Sequence, residues 1–126
     1  EGVAPTVHAI AERAPGARVL IAVERFVVGS RAARSRAPGG GAAAQAVIAE
    51  LVALVRELAR ERDAALAARS AATVKLWAAD KRLAAAGWLR ATEGMPHARD
   101  AARHALFAAV AAGVVPDPLS ARACAR

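Results

Sequence analysis

One stretch constrains the fold more than any other: Arg18-Val-Leu-Ile-Ala-Val-Glu-Arg-Phe-Val-Val28, set between Pro15-Gly16 and Gly29-Ser30. The run is β-branched and too apolar to alternate, which predicts a strand buried on both faces of a sheet with helices on either side. Upstream, residues 4–14 carry Val7, Ile10 and Ala11 at helical spacing, with Thr6 as the expected N-cap and Pro15-Gly16 as the stop. Downstream, residues 29–41 hold Arg31, Arg34 and Arg36 and end in Gly39-Gly40-Gly41, which predicts a flexible, basic, exposed loop.

Residues 42–62 then carry Val47, Ile48, Leu51, Val52, Leu54, Val55 and Leu58 on one face and charges on the other, the pattern of a long amphipathic helix. The alanine-rich residues 63–69 suit more helix by propensity, but their position after a crossover helix favours a short strand, and the strand is preferred. Ser70 is positioned to cap a helix through Trp77, a short helical piece follows from Asp80 to Ala86, and Pro96 opens a last helix to about Ala112. Residues 114–126 read as a tail with little to pack. No internal repeat is present. The expected architecture is one α/β domain over residues 1–126, with too few strands of its own to complete a sheet.

Composition narrows the function. Eighteen Lys+Arg against eleven Asp+Glu give a net charge of +7 on 126 residues, which makes a polyanion the first partner to consider. Sixteen of the eighteen are arginine and alanine abounds, so base composition of the genome competes as the source of that charge. A single cysteine, Cys124, excludes a disulfide framework and points to a reducing, cytoplasmic setting. Arginine interrupts every apolar stretch before the ~20 residues of a membrane span, and no signal-peptide pattern opens the chain.

Glu24 is the most informative single residue, because an ionised carboxylate inside an oily strand is costly unless a partner or metal offsets it. Metal or catalytic use competes evenly with a structural role opposite Arg25 or another arginine. His97, Asp100 and His104 sit at spacings of three and four in the last helix, on one face, with residue types that ligate divalent metals. The alternative is an aspartate favoured by the helix start, with His104 as its companion. Zinc ranks below a hard cation. Lys75, one of two lysines, stands where a strand hands over to a helix and a phosphate could be met. Trp77 and Trp88 read as core anchors and His8 as a solvated residue.

Together these pieces resemble the RuvC-type Holliday-junction resolvases, most closely the compact RuvC-like nucleases of phages. The resemblance is carried by Val-Leu-Ile-Ala-Val-Glu-Arg-Phe at 19–26, the basic loop, the long helix, Ser-Ala-Ala-Thr-Val-Lys at 70–75 and Pro-His-Ala-Arg-Asp-Ala-Ala at 96–102. It implies a ribonuclease H-like fold, a mixed sheet flanked by helices, and a metal-dependent endodeoxyribonuclease acting on branched DNA as a homodimer. By the same resemblance Glu24, His97 and Asp100 hold two Mg²⁺ or Mn²⁺ ions, and Lys75 stands near the scissile phosphate. Arg31, Arg34 and Arg36, with Lys75, contact the DNA. The family's first strand also carries an Asp in an Asp-x-Gly motif that these residues lack, so the expectation is that N-terminal strands are missing from this chain and its activity impaired. The competing expectation is a catalytically inactive ribonuclease H-like module, or a basic one that binds nucleic acid or protein.

Overall fold

The computed structural model describes residues 3–25 and 40–120, with side chains from residue 45 onward in the second stretch. The architecture is mixed α/β: a small parallel sheet of two strands, β1 (Val19–Glu24) and β2 (Ala64–Arg69), among six helices in the described residues. These are α1 (Val3–Glu12), α2 (Gly40–Leu58), α3 (Ala71–Trp77), α4 (Asp80–Ala85), α5 (Trp88–Ala91) and α6 (Pro96–Ala111). Val19 N–H donates to the Asp63 carbonyl at 2.9 Å and Arg25 N–H to the Arg69 carbonyl at 2.8 Å. Both strands therefore advance by the same number of residues between bonds, which is parallel register with α2 in the crossover.

That pairing explains where the elements end. The amphipathic helix expected to reach residue 62 stops at Leu58. Arg60 and Glu61 tighten into bonds to Glu57 and Leu58, and the chain must be extended by Asp63 to meet Val19. The same ladder makes 64–69 a strand although alanine favours helix. Two other expectations fail nearby. All six β1 residues are half-buried rather than buried on both faces, as a two-stranded sheet allows. Gly40 and Gly41, assigned to the loop, begin α2. Phe26, Val27 and Val28 lie outside the described residues, as does most of the basic loop.

The described residues form two compact units, 3–21 with 40–66 and 22–25 with 67–120. In the first, α1 packs on α2, and Ala11, Leu51, Leu54 and Leu58 are buried. Leu51, Leu54 and Leu58 sit at i, i+3 and i+7, whereas Val47 and Ile48 of the expected stripe are exposed. The helix begins at Val3, so Thr6 lies inside it and is not its cap. Arg62 donates to the Ala11 carbonyl at 3.1 Å, which also accepts from Ala14 N–H at 3.2 Å, so the guanidinium ties the turn after α2 to the α1 terminus. His8 stands 3.9 Å from Glu57.

In the second unit Ser70 caps α3 as expected, its Oγ accepting from Thr73 N–H at 3.3 Å. Val74 faces inward and α3 packs on α6. The core joins Ala78, Leu83 and Leu119, with Trp77, Ala86 and Leu89 against it. Trp77 also meets Phe107 edge-on at 5.5 Å, while Trp88 is exposed and anchors less than expected. Leu119 corrects the reading of a tail with nothing to pack: it is only 4% exposed. Its N–H donates to Asp117 Oδ1 at 2.8 Å, and Asp117 Oδ2 accepts from Arg82 at 2.8 Å, so the turn after Pro116 is tied back to α4. No helix among the described residues is long and apolar enough to cross a membrane.

Gly87 turns the chain between α4 and α5 at φ 78°. A Cβ there would meet no neighbour, so the cost of Gly87→Ala is backbone strain alone. The expected loss is about 1 kcal/mol in denaturant unfolding; a variant as stable as the wild type would refute the strain argument.

Candidate functional site

Parallel strands direct their carboxyl ends to one side, and in open α/β sheets ligands collect there. Glu24 is the last residue of β1, and the Arg25–Arg69 hydrogen bond sets it level with the end of β2, where Ser70 starts α3. Glu24 as a residue is half-buried and, among the described residues, its carboxylate has no hydrogen-bond or ion-pair partner. The structural alternative of pairing with Arg25 is thus absent among the described residues.

Lys75 and Asp100 meet. One turn into α3, Lys75 Nζ stands 3.9 Å from Asp100 Oδ2 on α6, with the two side chains 56% and 40% exposed. Asp100 Oδ1 accepts from Arg103 Nη1 at 2.7 Å. Arg103 is the buried member of this cluster, 7% exposed, and it also donates from Nε to the Ala78 carbonyl at 3.0 Å and from Nη2 to Asp80 Oδ1. One guanidinium fork thus serves two carboxylates and a carbonyl, binding α6 to the segment between α3 and α4. Sequence reasoning missed Arg103. The signal was present in the i, i+3 spacing of Asp100 and Arg103, but in so arginine-rich a chain nothing set this arginine apart.

The trio expected on α6 does not converge. His97 is exposed, Asp100 half-buried and His104 buried at 7% exposure. The rise of an α-helix separates residues seven apart by about 10 Å, too far for one ion. Among the described residues no group of three His, Cys, Asp or Glu could hold a metal. Glu24 and Asp100 are hard oxygen donors, the right kind for Mg²⁺, yet the described donors do not fit a two-ion centre in number. Arg31, Arg34 and Arg36 lie outside the described residues, as does Cys124.

Compared with protein-family models, curated proteins and solved structures, the chain has no match in any of the three.

Proposed function

We propose that the chain is a ribonuclease H-like part of a metal-dependent endodeoxyribonuclease that hydrolyses phosphodiester bonds in branched DNA, similar to the RuvC-type resolvases. The observation that carries this reading is the meeting of Lys75 and Asp100 at 3.9 Å. Two motifs selected by resemblance, 25 residues apart, come together in the unit that also contains Glu24 at the carboxyl end of a parallel strand. In this reading Lys75 neutralises the phosphate at which a water attacks phosphorus and the bond to the 3′ oxygen breaks. Glu24 and Asp100 are the carboxylates available to a divalent ion, and His97 is an exposed residue three positions before Asp100 in sequence. The further carboxylate that two ions require is not among the described residues, so no step is assigned to the ions.

A second reading, a non-catalytic nucleic-acid-binding module, draws on the same geometry. Asp100 is already held by Arg103 and Lys75, which is what a structural aspartate does. Nicking assays with the full-length protein on a four-way junction and a linear duplex separate the two. Junction cleavage that requires Mg²⁺ and stops with EDTA supports the nuclease. Salt-sensitive binding without cleavage supports the module, and neither behaviour defeats both.

DNA contact itself is tested by replacing Arg31, Arg34 and Arg36 with glutamine. If each neutralises one phosphate, the slope of log K against log[salt] flattens by about 2.7. An unchanged slope removes the loop from the interface.

A further inference from the structure

Arg62 carries an unmet hydrogen bond. Its Nη1 donates to the Ala11 carbonyl at 3.1 Å and reaches the Ala14 carbonyl at 3.5 Å, so that end of the guanidinium is anchored. Its Nε is shut off from water and, among the described residues, has no acceptor. Buried donors are nearly always paired, so this one marks a place where an acceptor from outside the chain gains most. The same side chain lines a cleft of about 380 Å³ between α1 and β1, contained within the first unit. That is the size of a small-molecule site. Val7 and Ile10 of α1 and Val19 and Ile21 of β1 give the cleft apolar walls. Its other cation, Arg18, is engaged by Asp63 at 3.1 Å, and among the described residues no Asp or Glu lines it.

Apolar walls around one uncommitted guanidinium edge suit a ligand with an oily body and a single anionic head. A carboxylate matches the fork side-on, through Nε and Nη2. A nucleic-acid backbone does not suit the cleft, because it would press hydrated charge along its whole length against apolar walls. We infer that this cleft binds a small amphipathic monocarboxylate, such as a medium-chain fatty acid, with its head on Arg62 and its chain along Ile10, Val19 and Ile21. Glu24, Lys75 and Asp100 do not line it, so the inference stands apart from the nuclease reading.

The test uses octanoate as the probe, with octanol and acetate as its headless and tailless counterparts, on the full-length ¹⁵N-labelled protein followed by NMR. The Nε–H signal of Arg62, assigned by its loss in Arg62→Met, reports the hydrogen bond directly. Octanoate is expected to shift that signal and to bind with Kd below about 1 mM. Octanol and acetate should bind at least about tenfold more weakly. Arg62→Met keeps most of the side chain's length and should reduce octanoate to the level of octanol. Because Arg62 also ties the turn after α2 to α1, a second variant keeps the test independent of folding. Ile10 is 61% exposed, so Ile10→Glu spares the core, and its charge at the cleft wall should weaken octanoate about fivefold. A wild-type Nε–H signal that octanoate leaves unmoved overturns the site. Octanol bound as tightly as octanoate overturns the role of Arg62, and undiminished binding by Ile10→Glu overturns the location.

Discussion

Glu24→Gln should abolish junction cleavage, lowering the single-turnover rate at least about a thousandfold, which corresponds to about 4 kcal/mol of transition-state stabilisation. The substitution keeps the shape of the side chain and removes only its charge. Because the carboxylate has no hydrogen-bond or ion-pair partner among the described residues, no structural bond within them is lost, and thermal stability should stay within about 0.5 kcal/mol. Cleavage measured on a four-way junction in Mg²⁺, beside binding in EDTA, isolates the charge. If Glu24→Gln cleaves like wild type, the assignment of this residue is lost and the nuclease proposal loses its centre.

Arg103→Ala should destabilise the second unit by about 2–3 kcal/mol. It strips the Ala78 carbonyl of its donor and leaves Asp80 and Asp100 without the guanidinium between them. The figure is held down because Asp80 is 69% exposed and Asp100 40%, so both carboxylates regain water. Both tryptophans of the chain, Trp77 and Trp88, belong to this unit, and their fluorescence follows its unfolding directly. The midpoint is expected to fall by roughly 10–15 °C. Arg103→Met restores apolar volume and should recover part of the loss, while Arg103→Lys serves one carboxylate at most. An Arg103→Ala protein that melts with wild type would mean that the two carboxylates and the carbonyl do not depend on the fork.

Local signals in the sequence were legible where they were self-sufficient. The apolar run at 19–24 formed β1, the Ser70 cap opened α3, and Pro96 opened α6 because each acts within a turn or two of itself. Features set by distant partners were harder to read. The end of α2 depends on Asp63 meeting Val19, and the half-burial of β1 depends on how many strands surround it. Helix α5 is four residues long, too short to show a period. The candidate site divides the same way: resemblance nominated Lys75 and Asp100, which meet, but spacing alone overstated His104, whose ring is buried. Helical periodicity says which residues share a face, not how far apart they stand along the axis.

Leu119 sets a boundary for anyone cutting or fusing this protein. Protease nicking after Gly113 would release the hydrophobic plug that closes over Ala78 and Leu83, together with the acidic latch at Asp117 that grips Arg82. A shortened product would expose an oily notch and tend to clump. Affinity handles and fusion junctions should therefore leave Asp117 and Leu119 in place.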